Sequence, residues 1–149
     1  MSQRMAKDFF VPQNQGNIVN ITANVVRGFP GLAHTGAARA GVENMTKSLS
    51  QEWAQYNIRI NAVAPGVIAS EGLENYPETL QKNLNALKDI NLMKRLGTVE
   101  DIANAVMFFA SPLSSYISGT IQMVDGLEHL ADDRMILFNN VSTYFGKGN

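Results

Sequence analysis

Cysteine is absent from the 149 residues. No disulfide, thiolate metal ligand or cysteine nucleophile is therefore available, and a reducing compartment is the default setting. Positive charge is not in excess: 12 Lys and Arg stand against 13 Asp and Glu, for a net charge of −1. A general nucleic-acid binder needs a basic surface, so no nucleic-acid partner is expected. Long apolar runs are missing too. The apolar stretches are short and interrupted, so none spans a bilayer, and the N-terminus has no apolar signal core. The last four residues, Gly146 to Asn149, match no receptor-read address. The expectation is an intracellular protein, cytoplasmic by default, with no membrane contact. Metal ligands are sparse as well. Asp132 and Asp133 have no histidine or third acid at ligand spacing, and His129 stands isolated, so no metal site is expected.

What is present is a globular composition, 45% hydrophobic and 17% charged, in a chain long enough for a single domain over residues 1–149. The segment from Met5 to Phe10 reads as a helix end stopped by Pro12. Asn17 to Thr22 reads as a strand, rich in isoleucine and valine, and Asn24 to His34 as a loop. The helix predicted from Thr35 to Trp53 organises the rest. Its apolar positions Ala38, Val42, Met45, Leu49 and Trp53 share one face at steps of three and four. Glu43 lies off that face and reads as solvated. Gly36 and Gly41 cost helix stability, about 1 kcal/mol each against alanine, and so point to a close approach by another backbone or a ligand. A second strand, Ile58 to Ala64, runs into Pro65-Gly66, and Val67 to Asn75 reads as a loop. A surface helix is predicted over Pro77 to Lys88 on the stripe Leu80, Leu84 and Leu87. Thr98 reads as the N-cap of another helix, whose inner face is Ile102, Val106 and Phe109. A last strand, Thr120 to Val124, ends at Asp125-Gly126, and Met135 to Phe138 reads as a short strand or docking segment. Strands alternating with helices predict an α/β fold with a parallel sheet.

Three pieces of the sequence resemble the short-chain dehydrogenase/reductase family. One is Gly28-Phe-Pro-Gly31 with Thr35-x-x-x-Arg39-Ala-Gly-Val and Met45-Thr-Lys-Ser-Leu49. Another is Ile58-Arg-Ile-Asn-Ala-Val-Ala-Pro-Gly-Val-Ile68. The third joins Lys94-Arg-Leu-Gly97 and Glu100-Asp-Ile-Ala103 to Ser114-Ser-Tyr-Ile-Ser-Gly119 and Val124-Asp-Gly126. The run His34 to Gly41 is most similar to peroxisomal-type trans-2-enoyl-CoA and dienoyl-CoA reductases. The resemblance implies the C-terminal half of a Rossmann-like, doubly wound parallel sheet with helices on its faces. The family's opening strand and glycine-rich turn, which bind the dinucleotide pyrophosphate, have no counterpart in residues 1–16. The sequence is therefore expected to be the second half of such a reductase.

The same resemblance implies site residues. The family uses a tyrosine as proton donor, a lysine one helical turn later that tunes the tyrosine and holds the nicotinamide ribose, and an upstream serine that positions the substrate oxygen. Here the tyrosine position is Thr35 and the lysine position is Arg39. The serine position is Thr22 counted from the helix and Ala23 counted from the strand; Thr22 is taken as the candidate. Pro65, Gly66, Val67 and Ile68 are implied to face the nicotinamide carboxamide, and Ser70 to reach a phosphate. The cofactor implied is NADP or NAD. Leu127 stands where the family has a second glycine. An aliphatic hydroxyl at position 35 is a poor acid, which favours enoyl-CoA reduction over carbonyl reduction. His34, next to Thr35, is a candidate proton relay set against a packing role. Two readings follow. One is an oxidoreductase for an acyl-CoA-like substrate, inactive as this chain alone. The other is a non-catalytic interaction module, with homo-oligomers covering either the stripe from Ala38 to Trp53 or the open edge of the Asn17–Thr22 strand.

Overall fold

The computed structural model describes residues 2–71, Ala86, Lys88 and 91–131. The predicted helix over 77–88, apart from the helical Ala86 and Lys88, lies outside the described residues, as do Asp132, Asp133 and the segment 135–138.

Three strands form one parallel sheet in the order β1-β2-β5: β1 (Gly16–Ile21), β2 (Ile58–Pro65) and β5 (Ile121–Val124). The register pairs Gly16 with Ile58 and Ile21 with Val63 on one side, and Ala62 with Ile121 and Pro65 with Val124 on the other. The central strand is the core. Ile58, Ile60, Ala62, Val63 and Ala64 are 1% exposed or less, as a parallel strand covered on both faces requires. Helix α3 (Ala33–Trp53) bonds to the even-numbered side chains of β1 and the residue after it, through Asn20 to Thr46 and Thr22 to Glu43. Helix α4 (Val99–Ala110) is met by the odd-numbered Asn17, which donates to the Phe109 carbonyl at 2.7 Å. Side chains alternate along a strand, so the two helices cover opposite faces of the sheet. The α/β fold with a parallel sheet and helices on its faces is as expected.

Several boundaries differ from expectation. The N-terminal helix runs through α1 (Ser2–Met5), a π-helical turn (Ala6–Phe10) and α2 (Val11–Gln13). Pro12 sits inside its last turn, and the helix stops at Asn14, whose φ of 49° is left-handed. The loop after Gly66 contains β3 (Ile68–Ala69), which pairs in parallel with β4 (Gly97–Thr98). Two residues carry too little periodicity to be read as a strand. At the start of α4, Thr98 forms a capping box with Asp101. Asp101 is also gripped by both terminal nitrogens of Arg95, at 2.6 and 3.1 Å. The Arg95 hydrogen bond and the Thr98 backbone hold that carboxyl well below the usual carboxylate range. The other end of α4 is closed by Arg59, which donates to the carbonyls of Phe109 and Ser111 at 3.1 and 3.4 Å and satisfies acceptors the helix leaves open. No helix among the described residues is long and apolar enough to cross a membrane.

Candidate functional site

Helix α3 turns its polar side to the sheet. Its buried residues are Gly36, Thr46 and Ser50, while Ala38 is exposed, Met45 is 40% exposed, and Val42, Leu49 and Trp53 are half-buried. The reason lies in β1 and its continuation, which present Asn20 and Thr22 on this face. Buried polar groups must be paired, and Arg39, Glu43 and Thr46 supply partners at helical spacing, while the buried Ser50 hydroxyl donates within the helix to the Lys47 carbonyl at 2.8 Å. Asn20 donates to the Thr46 hydroxyl at 2.9 Å, and that hydroxyl donates to the Val42 carbonyl at 2.8 Å. The expectation for Glu43 is corrected: it is half-buried and accepts from Thr22 at 3.3 Å rather than standing in solvent. Of the two glycines, Gly36 makes the close approach, to the Phe29 side chain, while nothing crowds Gly41.

The candidate residues gather at the carboxyl end of the sheet, where ligands of open α/β sheets bind. Thr22 and Asn24 continue the β1-β2 ladder, their N–H groups donating to the Val63 and Pro65 carbonyls at 2.9 Å each. Thr22 is 5% exposed, and its hydroxyl has the Val63 carbonyl and Glu43 carboxylate both 3.3 Å away. Ala23 follows it, half-buried. Arg39 is exposed, and its Nη1 lies 3.4 Å from the Ile21 carbonyl, a long contact that leaves the guanidinium available. Thr35 is half-buried in the first turn of α3, and His34 beside it is exposed. Pro65 ends β2, the Gly66 N–H donates to the Val124 carbonyl at 3.2 Å, and the Val67 carbonyl accepts from the Gly97 N–H at 3.0 Å. Ile68 pairs with Gly97, and Ser70 is exposed just beyond.

Behind this turn lies a group of residues that no local sequence pattern marks. Asp125, with a side chain only 2% exposed, accepts from Asn24 at 3.1 Å, the Leu127 N–H at 3.1 Å, the His129 N–H at 2.8 Å and the His129 ring at 2.7 Å. His129 is thus not isolated but bound through Nδ1 to a buried carboxylate. Asn91 donates to the Asp125 carbonyl at 2.9 Å. Glu128 lies against Gly66. Burial and the Asp125 charge push its carboxyl up, offset in part by the Val67 backbone amide, which favours the charged form. An open cleft of about 610 Å³ beside the outer edge of β5 is lined by Met93, Arg95, Met123 and His129, and by none of the sequence-predicted site residues. No group of three metal-ligating side chains occurs among the described residues.

The donor set suits the nicotinamide end of a dinucleotide. An exposed, permanently charged guanidinium beside the end of β1, a backbone turn at the end of β2 and the exposed Ser70 just beyond it lie toward the carboxyl end of the sheet. Arg39 and Ser70 would hold ribose or phosphate oxygens, and the Pro65–Ile68 backbone would face the carboxamide.

A family model described as enoyl-(acyl carrier protein) reductase matches residues 1–126. Peroxisomal 2,4-dienoyl-CoA reductase of Mus musculus is 42% identical over 132 residues, covering 85% of this chain and 43% of that protein. The 3-oxoacyl-(acyl-carrier-protein) reductase FabG of Thermotoga maritima is 40% identical over 124 residues, covering 83% and 49%. The crystal structure of levodione reductase superposes with a TM-score of 0.78 at 32% identity, and an ElxO variant with NADPH bound with 0.76 at 31%. Each superposition covers 85% of this chain and 51% of the other. The chain therefore spans about half the length of the relatives it matches.

Proposed function

This chain belongs to the short-chain dehydrogenase/reductase family of oxidoreductases, and from that premise we propose that it serves hydride transfer from NADPH or NADH to an enoyl-CoA-like thioester. The observation that carries the reading is that Arg39 reaches the Ile21 carbonyl, whose residue pairs with Val63 just before the Pro65–Ile68 turn, with Thr35 where the family has its tyrosine. Bound against that turn, the nicotinamide supplies the hydride. The chain's own share is electrostatic. Hydride delivery to the β-carbon of an unsaturated thioester leaves an enolate with negative charge on the thioester oxygen, and a fixed cation would stabilise that charge until the α-carbon takes a proton from solvent. Arg39 keeps its charge at any working pH, whereas Thr35 is too weak an acid to replace a tyrosine. The names of the mouse and Thermotoga relatives, one a dienoyl-CoA reductase and the other an acyl-carrier-protein reductase, support an acyl thioester as substrate. A homo-oligomer accompanies this reading, because α3 turns its apolar stripe away from the sheet.

The test is a spectrophotometric assay of the purified 149-residue chain with NADPH and a trans-2-enoyl-CoA. The chain alone, lacking a glycine-rich pyrophosphate turn in its sequence, is expected to give no steady NADPH consumption. Adding a separately expressed first half of a family reductase is expected to restore turnover, and R39A to abolish what is restored. Steady consumption by the chain alone overturns the expected inactivity. Restored turnover that R39A leaves unchanged overturns the role given to Arg39.

A further inference from the structure

The Pro65–Gly66 peptide is tied on both of its sides. Its carbonyl, on Pro65, accepts from the Asn24 N–H at 2.9 Å, and its N–H, on Gly66, donates to the Val124 carbonyl at 3.2 Å. The continuation of β1 and the end of β5 thus flank the end of β2. Neighbouring strands stand about 4.8 Å apart, so the two flanking backbones are roughly 10 Å from each other. Two side chains close that distance, Asn24 Nδ2 donating to Asp125 Oδ2 at 3.1 Å. With the two backbone bonds this makes a closed ring around one peptide unit.

Gly66 fits within the ring because it has no side chain. A Cβ there would lie 2.8 Å from Asp125 Cβ and 2.9 Å from Asp125 Cα, well inside the distance at which carbon atoms pack. Both ends of the side-chain bond are fixed. The Asp125 carboxylate also accepts from the Leu127 and His129 N–H groups and from the His129 ring. Asn24 is half-buried, and its Oδ1 accepts from the Val26 N–H at 3.3 Å, which leaves Nδ2 for Asp125. Donation to a carboxylate is charge-assisted and roughly twice as strong as a neutral bond.

We propose that Asn24 is a positioning residue: through Asp125 it ties the ends of β1 and β5 together across β2 and so fixes the Pro65–Gly66 peptide against which the nicotinamide carboxamide is placed. The inference deepens the proposed function and rests on it for what the peptide meets, but the tie itself is testable without any cofactor. The two backbone bonds of the ring are open to any sequence, whereas the side-chain bond depends on Asn24 and Asp125 alone.

The experiment measures backbone amide order parameters by NMR relaxation in the full 149-residue chain, with no ligand. Wild-type Gly66 is expected to show about 0.85, the value of rigid backbone, and to fall toward about 0.6 in N24A. Ala62, whose N–H donates to the Thr120 carbonyl in the same sheet, is expected to stay rigid in both. N24D keeps the side-chain size and the acceptor for Val26 but, ionised, has no proton for Asp125, so it is expected to match N24A. A merely structural bond would lower the urea midpoint and leave the Gly66 order parameter where it was. The wild type offers a check that needs no variant to fold: the Asn24 side-chain NH2 should exchange with water more slowly than that of the exposed Asn104. Gly66 as rigid in N24A or N24D as in the wild type, or Asn24 protons exchanging as fast as those of Asn104, overturns the proposal. In the mixture with the complementary half, N24A is expected to lower kcat roughly 10- to 100-fold, the cost of a small misplacement, with the KM for NADPH nearly unchanged. A kcat that N24A leaves unchanged overturns the positioning role. No turnover by the wild-type mixture counts against the proposed function and leaves the Gly66 result to stand by itself.

Discussion

Leu127 holds a backbone conformation that suits glycine. Its φ of 71° is left-handed, and an L-residue with a Cβ costs roughly 1–2 kcal/mol there. The strain persists because both sides of the residue are fixed: its N–H donates to Asp125, and the Glu128 and Ala131 N–H groups close the turn behind it. Leucine is not indifferent at this site, since part of its side chain is covered, so replacing it with glycine mixes strain relief with lost burial. Comparing two variants separates these. L127A and L127G both remove the side chain, but only L127G removes the strain. At an ordinary helix or strand position glycine is less stable than alanine by roughly 0.5–1 kcal/mol. At position 127 the order is expected to reverse, with L127G the more stable by roughly 0.5–1 kcal/mol. Urea unfolding with an unchanged m-value checks it; alanine at or above glycine would show that the turn relaxes.

At the scale of elements, helix α3 carries two stripes of nearly equal regularity. Ala38, Val42, Met45, Leu49 and Trp53 form one; Arg39, Glu43, Thr46 and Ser50 form the other. Periodicity alone cannot say which meets the sheet, because that is decided by Asn20 and Thr22 on a strand whose facing is unknown until it is paired. Thr46 is the centre of this polar seam and is 0% exposed. T46V keeps the shape but removes the hydroxyl that Asn20 donates to, leaving a covered amide group unpaired, and is expected to cost about 1–3 kcal/mol. T46S keeps the hydroxyl and should retain most of the stability. Equal losses in the two variants, read from urea midpoints, would show that packing and not the hydrogen bond matters. The same logic explains what was legible. Strands β1, β2 and β5 announce themselves as short apolar runs bounded by Gly, Asn and Asp, and the Thr98 cap is a local pattern. The carboxyl-end turn at Pro65-Gly66 was legible for the same reason. Strands β3 and β4 were not, because two residues make a strand only by finding each other across the chain. The Asp125 cluster was not either: Asn24, Asn91 and Asp125 are far apart in sequence and meet only through the parallel crossovers.

At the scale of the molecule, the sheet-facing polar stripe leaves the apolar one outside. Ala38 and Met45 are exposed on it, and Val42, Leu49 and Trp53 are half-covered. A contiguous apolar stripe on a long helix favours association, and a helix stripe of this kind pairs well with its own copy about a two-fold axis, where the same patch serves both partners. The free side of β1 is a rival surface, since among the described residues it pairs only with β2. One substitution tells them apart. M45K places a charge in the middle of the stripe and touches neither strand edge. Met45 is 40% exposed in the single chain, so folding of the monomer should change by no more than about 0.5 kcal/mol, as for ordinary surface substitutions. An interface on α3 would instead bury that charge without a partner. Native mass measurement at micromolar concentration is expected to show a dimer or larger assembly for the wild type and a monomer for M45K, with closely similar far-UV circular dichroism. A wild-type monomer would dismiss self-association altogether. An M45K assembly as large as the wild type would move the interface from the helix to the strand edge.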